Sequence, residues 1–260
     1  KINMNMKKYS KKYNKKNLIS IITVVLNGEK TIERTIKSVI NQSYSNYELI
    51  VIDGGSSDGT INILKKYNKN ISFWMSKKDK GIYHAMNKGI KKSSGKIIGI
   101  LNSDDYYLKN ALKTVNTYFN KFQNIEFLFG SVKKNRIMSG FYPEKISYRF
   151  NIYPGHSSGF FIKKKTHKKV GLYNTKFKYS ADLDLIYKLI VKHKINGMST
   201  KKNEVTGVFS MQGISNKSGF IVKIMEEARV RLHNKQNLFY VILLVLLHSL
   251  NHLYNKFIKI

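Results

Sequence analysis

The 260-residue chain contains no cysteine, which excludes disulfide bonds, thiolate metal ligands and a thiol nucleophile. Acidic residues are scarce as well, because 15 Asp and Glu stand against 47 Lys and Arg, giving a formal net charge of +32. Such a charge indicates an anionic partner: nucleic acid, a membrane surface or a phosphorylated substrate. Lys, Asn and Ile are abundant together, as an AT-rich gene would produce, so charge alone assigns no function.

The sequence also lacks a secretory signal and a long apolar run. Residues 1–17 are rich in Lys, Asn and Tyr without an apolar centre, and we interpret them as a basic leader, either a solvated tail or a contact for anionic lipid. The longest apolar run, Leu238–Leu247, is shorter than the ~18–20 residues of a membrane-spanning helix. We expect residues 216–260 to form a helical extension that lies in a membrane interface or docks onto protein.

The apolar segments alternate in a way that predicts an α/β domain with a mostly parallel sheet flanked by helices. Strands are expected at Leu18–Leu26, Glu48–Ile52, Ile71–Met75, Lys96–Leu101, Glu126–Val132 and Asn203–Phe209. Helices are expected at Thr31–Gln42, from Thr60 to about Tyr67, at Ile82–Lys91, Leu108–Phe122 and Asp182–Val191. The hydrophobic fraction of 42% is sufficient to bury a sizeable core.

The most informative stretch is KIIGILNSDDYY, residues 96–107, in which a buried strand ends at two adjacent acids, Asp104 and Asp105. Ligands bind at the carboxyl ends of strands in open α/β sheets. Two neighbouring carboxylates repel each other unless a cation lies between them. The pattern predicts a divalent metal site for a substrate diphosphate; the alternative is a capped turn into the next helix.

Three further residues are candidates for a role in binding or catalysis. Asp53 ends the second strand and is expected either to accept a hydrogen bond from a nucleotide base or, with Asp58, to cap its own glycine-rich turn. That turn is neither a dinucleotide fingerprint nor a P-loop. Lys80 either reaches the diphosphate or base, or is solvated. Asp182 begins a helix, as an N-cap or a catalytic carboxylate, and Asp184 points about 200° away.

Four segments carry a family resemblance, which extends over about residues 18–215. They are ISIITVVLN, ELIVIDGGSSDGT, SKKDKGIYHAMNKGI and GKIIGILNSDD, and their order and spacing resemble bacterial family-two glycosyltransferases of the GT-A fold. The block DKGIYHAMNKGI followed by LNSDD is highly specific for that family. The resemblance implies a GT-A domain over residues 18–215, between the basic leader over residues 1–17 and the helical extension over residues 216–260.

The resemblance also implies roles for the donor site. Asp53 would contact the nucleotide base, and Val24 and Leu26 would line the nucleoside pocket, with Leu26 where relatives often carry Tyr. Asn102-Ser103-Asp104 takes the place of the D-x-D motif with Asn for the first Asp. Asn102 and Ser103 would therefore contact the nucleotide, while Asp104, with Asp105 beside it, would bind Mn²⁺ or Mg²⁺.

On the acceptor side, the resemblance of SADLDLIYKL to the family's A-D-x-D-L motif implies that Asp182 is the catalytic base. His156 lies in a segment like the family's strand beside the donor sugar, as a sugar or phosphate contact or as a structural hydrogen-bonding residue. The expected enzyme is a metal-dependent inverting glycosyltransferase that uses a UDP- or dTDP-sugar. Its acceptor would be a saccharide, free or lipid-linked, in bacterial surface polysaccharide assembly.

We expect the protein in the cytoplasm, peripheral on the cytoplasmic face of the inner membrane, and an oligomer is compatible with the sequence. A nucleotide-sugar-binding protein without catalysis is one alternative. A nucleic-acid-binding protein is another: it would explain the charge but not the strand-end acids, because carboxylates repel phosphates without a metal. We therefore expect no nucleic acid partner.

Overall fold

The computed structural model describes residues 17–148, 152–154, 157–210 and 219–257. The strands are β1 (Ile19–Val25), β2 (Tyr47–Asp53), β3 (Phe73–Ser76), β4 (Ile97–Ile100), β5 (Tyr106–Tyr107), β6 (Phe127–Phe129), β7 (Ser131–Lys133), β8 (Ile137–Met138), β9 (Phe160–Lys163), β10 (Gly197–Ser199) and β11 (Val205–Val208). The helices are α1 (Ile32–Ile40), α2 (Thr60–Lys66), α3 (Ile82–Lys92), α4 (Ala111–Lys121), α5 (Lys164–Val170), α6 (Ala181–Tyr187), α7 (Phe220–His233) and α8 (Leu238–Phe257).

Seven strands form the central sheet, in the order β10-β6-β9-β4-β1-β2-β3. Strand β1 pairs in parallel with β2 and β4, and β2 pairs in parallel with β3. Strand β9 runs antiparallel to both of its neighbours, β4 and β6. The mixed, mostly parallel sheet flanked by helices that the sequence predicts is confirmed.

Strand β1 shows why the sequence makes a helix-flanked sheet. All seven of its residues are buried, and alternate side chains of a strand point to opposite faces. Ile22 and Val24 pack in one cluster with α3 and α6, while Ile21 and Val25 pack in the other with α1 and α4. Each such side chain contributes about 1.5–3 kcal/mol by leaving water.

Helix α3 approaches this sheet closely at Gly89, within the family-specific block of the sequence. A Cβ atom at Gly89 would lie 2.3 Å from Ile22 Cγ2, so no larger residue fits unless the helix moves. The glycine thereby sets the distance of α3 from the sheet, and α3 carries a tyrosine of the site described below.

The single strand predicted at Glu126–Val132 is wrong. The chain instead forms β6 in the central sheet and β7 in a second, four-stranded sheet of order β5-β11-β7-β8. Gly130 lies at the corner between them, where a Cβ atom would come within 2.3 Å of Thr206. The change of sheet thus follows from a close approach that an apolar pattern does not reveal.

The C-terminal segment contains two helices that pack against each other, α7 and α8. Helix α8 has 20 residues, and its stretch Leu238–Asn255 has a mean hydropathy of 1.4 with 11% of it buried. By length and composition it is able to cross a membrane, contrary to the prediction from the apolar run. His248, Ser249 and Asn251 interrupt that run without ending the helix.

Candidate active site

The turns after β1 and β2 are joined by side chain to backbone hydrogen bonds. The Asn27 N–H donates to Ser56 Oγ at 2.7 Å, and the Ser57 N–H donates back to Asn27 Oδ1 at 2.9 Å. The Gly28 N–H donates to Thr60 Oγ1 at 2.9 Å. Because both turns follow parallel strands, these bonds make one surface at the carboxyl edge of the sheet.

Asp53 is buried beneath this surface. Its Oδ2 accepts hydrogen bonds from the backbone N–H groups of Gly55 and Ser56, both at 3.0 Å, and from Ser76 Oγ at 2.5 Å. Its Oδ1 accepts from Ser56 Oγ at 2.5 Å. These contacts are those of a turn-capping carboxylate, and the contact with a nucleotide base stays a prediction.

The predicted nucleoside-pocket residues differ in exposure. The Val24 side chain is 5% exposed and belongs to the core, whereas Leu26 is 54% exposed at the rim. A Cβ atom at Gly54 would lie 3.1 Å from Asp79 Oδ2 and 3.5 Å from Leu26 Cδ1, so these three residues meet there. Lys80 follows Asp79 with an exposed side chain, and its N–H donates to His84 Nδ1 at 3.3 Å.

The turn Asn102–Asp105 is held by two side chains of α1. Thr35 Oγ1 lies 2.8 Å from the Ser103 carbonyl oxygen and 2.7 Å from that of Asp105. Arg34 Nη2 donates to the Asp104 carbonyl oxygen at 2.7 Å. The turn is therefore fixed from below, with its side chains left for other contacts.

The two acids of this turn have different surroundings. Asp105 is 1% exposed and accepts hydrogen bonds from the Ser210 N–H at 2.7 Å and from the Ser157 hydroxyl. Burial raises the pKa of Asp105 to about 7, against the opposing effect of these bonds. Asp104 is partly exposed; burial raises its pKa while the charge of Arg34 opposes the shift. Asp105 is thus enclosed by hydrogen-bond donors, whereas Asp104 is open to solvent and to a ligand.

The oxygen atoms available as metal ligands around Asp104 suit a hard cation that is bound together with substrate. Within the described ranges, no group of three or more His, Cys, Asp or Glu is placed to hold a metal. Asn102 Oδ1 is buried there and receives no hydrogen bond from the described residues. This oxygen and the Asp104 carboxylate are the ligand types that Mg²⁺ takes alongside phosphate and water, so the residues present fit the predicted ion.

Asp182 lies in the first turn of α6, where Ser180 holds the N-cap position, which disfavours the alternative of a cap role for Asp182. The Tyr83 hydroxyl lies 3.0 Å from Asp182 Oδ1, and the Tyr153 hydroxyl donates to Oδ2 at 3.4 Å. Burial and the negative charge of Asp182 raise the pKa of both tyrosines well above the usual range, so both hydroxyls stay protonated.

Asp184 is turned away from this position. Its carboxylate is fully buried, pairs with Lys188 Nζ at 2.6 Å and accepts a hydrogen bond from Asn234 Nδ2 at 2.9 Å. The prediction that Asp182 and Asp184 cannot face one site is confirmed. Asp184 thus ties α6 to the C-terminal segment, and Asp182 is left beside the tyrosines.

A further carboxylate near Asp182 was not predicted from the sequence. Glu227 of α7 is partly buried, and burial raises its pKa to about 7, with the charge of Arg231 opposing the rise and that of Asp182 adding to it. Tyr83 and Tyr153 were not predicted either, although Tyr83 lies in the DKGIYHAMNKGI block. Their contacts join residues far apart in the chain, which local patterns do not report.

The donor-side turns contact one another directly, whereas Asp182 is joined to them through α3. A Cβ atom at Gly28 would lie 3.4 Å from Ser103 Oγ, which brings the Asn102–Asp105 turn beside the turn after β1. Tyr83, on the first turn of α3, follows the loop that carries Asp79 and Lys80. His156 lies outside the described residues.

The mixed, mostly parallel sheet with acids after its strands has the arrangement predicted for a GT-A domain. The family model described as Glycosyl transferase family 2 matches residues 20–181, which is more than half of the chain. The chain belongs to this family, and it is a glycosyltransferase. The match ends one residue before Asp182.

One curated relative is the UDP-Glc:alpha-D-GlcNAc-diphosphoundecaprenol beta-1,3-glucosyltransferase WfgD of Escherichia coli. It is 37% identical over 136 residues, which cover 50% of this chain and 53% of the relative. The chain thus spans about half the length of this relative.

Two solved structures share the fold. TarS 1–349 of S. aureus in complex with UDP-GlcNAc has a TM-score of 0.65 at 18% identity, over 92% of this chain and 73% of that one. The mannosyltransferase PcManGT of Pyrobaculum calidifontis, in complex with GDP-Man and Mn²⁺, has a TM-score of 0.64 at 15% identity, over 84% and 64%. At these identities the likeness concerns the fold alone, and it supports the predicted GT-A architecture.

Proposed function

We propose that the protein transfers a sugar from a UDP- or dTDP-sugar to an acceptor hydroxyl with inversion, using Asp182 as the base. One observation carries this proposal: the Asp182 carboxylate is partly exposed and is contacted by two tyrosine hydroxyls, while Asp184 is paired elsewhere. A carboxylate so oriented accepts the proton of the attacking hydroxyl. A single direct attack inverts the anomeric centre.

Asp104, with Asn102 Oδ1, would hold Mn²⁺ or Mg²⁺ together with the donor diphosphate. Such an ion neutralises charge that develops on the leaving diphosphate. Asp105 supports the turn through Ser157 and Ser210 and would be the second ligand, behind Asp104. Arg34 holds the Asp104 carbonyl oxygen and keeps a positive charge beside the turn.

The nucleotide would bind along the joined turns after β1 and β2. Leu26 offers an exposed apolar surface for the nucleoside, and Val24 supports it from the core. Asp53 would accept a base N–H through Oδ1 after the Ser56 hydroxyl, which covers this buried oxygen, turns aside on nucleotide binding. Lys80 and Ser103 lie at the rim, where they would contact the diphosphate.

The donor and acceptor classes rest on the relatives. WfgD is named for UDP-Glc and for an acceptor linked to diphosphoundecaprenol, and TarS is seen with UDP-GlcNAc. We infer a UDP-sugar as the first donor to test and a lipid-linked saccharide as the acceptor, in bacterial surface polysaccharide assembly. His156 would contact the sugar.

A lipid-linked acceptor requires contact with a membrane, and α8 suits one. Phe239, Ile242, Leu246 and Leu250 are each at least half exposed, and the chain carries a net charge of +32. Apolar burial and attraction to anionic headgroups are the two terms that bind a peripheral protein to a bilayer. We infer that α8 contacts the cytoplasmic face of the inner membrane.

Turnover by an Asp182→Asn variant tests the central proposal. The asparagine keeps the shape but cannot take a proton, so kcat should fall by about 10²–10⁴-fold while UDP-sugar binding, followed by thermal shift with Mn²⁺, is retained. Asp184→Asn is the control, since it loses the Lys188 pair without touching the base. Undiminished turnover in Asp182→Asn would reject Asp182 as the base. Donor binding without any transfer by the wild type would favour the non-catalytic alternative.

A further inference from the structure

The helix α7 lies beyond the segment that the family model matches, yet it contacts the loop leading to Asp182. Glu226 of α7 accepts hydrogen bonds from the backbone N–H groups of Lys178 at 2.7 Å and Tyr179 at 2.5 Å. Hydrogen bonds to an ionised carboxylate are roughly twice as strong as neutral ones. One side chain of α7 thus holds two consecutive peptide groups just before α6.

The peptide group that follows, between Tyr179 and Ser180, is held by α3. The Tyr83 hydroxyl lies 2.9 Å from the Tyr179 carbonyl oxygen and 3.0 Å from Asp182 Oδ1. Glu226 accepts the Tyr179 N–H, and the Tyr83 hydroxyl, whose single proton serves both oxygens, links the Tyr179 carbonyl to the Asp182 carboxylate. Because Asp182 follows three residues later, the position of this loop sets where its carboxylate lies.

We propose that Glu226 is a positioning residue for Asp182, and that α7 is part of the active site. The proposal rests on the assignment of Asp182 as the base. Two adjacent N–H groups need two acceptor oxygens, which a carboxylate provides. A glutamine provides one acceptor and turns an NH₂ group toward the other N–H, and an alanine provides none. Loop order and kcat should therefore fall in the order Glu, Gln, Ala.

Helix α7 is anchored independently of Glu226. The Arg231 side chain is 1% exposed, and its Nη1 donates to the Ile146 carbonyl oxygen at 2.9 Å and to the Tyr187 hydroxyl at 2.6 Å. Asn234 Nδ2 donates to Asp184 Oδ1 at 2.9 Å. Substituting Glu226 should consequently release the loop and leave the helix in place.

The test compares wild type, Glu226→Gln and Glu226→Ala in the full chain. Hydrogen–deuterium exchange follows the amides of Lys178 and Tyr179, and kcat is measured separately from donor affinity. We expect faster exchange at these two amides in Glu226→Ala. We also expect a fall in kcat of about 10- to 100-fold, since misplacing a reacting group by about 1 Å costs about 10²-fold. Donor affinity should stay within about twofold, with Glu226→Gln intermediate in kcat.

Glu204→Gln is the matched control. Glu204 also accepts a backbone N–H, that of Lys201 at 3.0 Å, together with the Tyr118 hydroxyl. Glu204→Gln should lower the free energy of unfolding about as much as Glu226→Gln does, and it should leave kcat unchanged. Unchanged exchange at Lys178 and Tyr179 in Glu226→Ala would overturn the proposal. Wild-type kcat in Glu226→Ala would overturn it as well.

Failure of the underlying function gives a different pattern. If the wild type transfers no sugar, or if Asp182→Asn keeps full turnover, the assignment of the base fails and the positioning role falls with it. In that case the hydrogen–deuterium exchange data still report whether Glu226 of α7 holds the loop, but they say nothing about catalysis. If Asp182→Asn is inactive and Glu226→Ala is fully active, only the positioning proposal fails.

Discussion

Glu227 provides a prediction of how stability depends on pH. The side chain lies on α7, and the charges that act on it are those of Arg231 and Lys223, which lower its pKa, and Asp182 and Glu226, which raise it. Burial dominates and raises the pKa of Glu227 from its ordinary value of 4.5 to about 7. The folded state therefore binds the Glu227 proton more tightly than the unfolded state does.

The sign of the effect follows from proton linkage. Below the unfolded pKa, Glu227 is protonated in both states and imposes no cost. As the pH rises from about 4.5 to about 7, the unfolded state releases this proton first, so the folded state loses relative stability, and above the folded pKa the loss no longer grows. Between about pH 5 and about pH 8 the loss is about 2.5 kcal/mol at 1.36 kcal/mol per unit. Residual exposure of the side chain reduces it.

The assay is urea unfolding of wild type and Glu227→Gln at these two pH values. Glutamine does not titrate, so Glu227→Gln should gain about 2.5 kcal/mol relative to wild type on going from about pH 5 to about pH 8. The expected signature is this difference between pH values, whatever the absolute cost of the substitution. An equal stability difference at both pH values would refute the reasoning.

Three other predictions concern the metal, the core and the membrane. Asp104→Ala should lose Mn²⁺-dependent donor binding in thermal shift, and transfer that is undiminished by EDTA would reject the metal. Gly89→Ala should lower unfolding free energy by about 1–3 kcal/mol because its Cβ meets Ile22; an unchanged urea midpoint would contradict this. The double substitution Leu246→Lys and Leu250→Lys should weaken co-sedimentation with phosphatidylglycerol vesicles but leave turnover of a soluble acceptor unchanged. Equal binding of the wild type to neutral vesicles would count against an electrostatic contribution to membrane binding.

The sequence predicts the parallel part of the sheet well, for a physical reason. Strands β1, β2 and β4 are runs of buried apolar residues, mostly β-branched, between polar turns, and their bounds lie within about one or two residues of the predicted ones. The reversed strand β9 and the division at Gly130 could not be predicted in this way. Both depend on which segments approach each other in space.

In the candidate site, too, local motifs were predictable from the sequence and long-range contacts were not. Asp104, Asp105 and Asp182 were predicted from their motifs, but their different surroundings were not. Asp105 is buried by Ser210, which lies 105 positions away in the chain, and Glu226 holds a loop 47 and 48 positions before it. Contacts between residues so far apart in the chain produce no periodic pattern in the sequence.

The hydrogen bonds between the turns after β1 and β2 have a consequence for engineering donor specificity. Asn27 and Ser56 belong to different turns and hold each other, and Glu29 Oε2 accepts the Gly59 N–H at 3.0 Å while the Glu29 N–H donates to Asp58 Oδ2 at 3.0 Å. Grafting one turn from a relative with another nucleotide preference would leave these donors and acceptors without partners. A change of nucleotide preference by grafting would therefore require both turns to be replaced together.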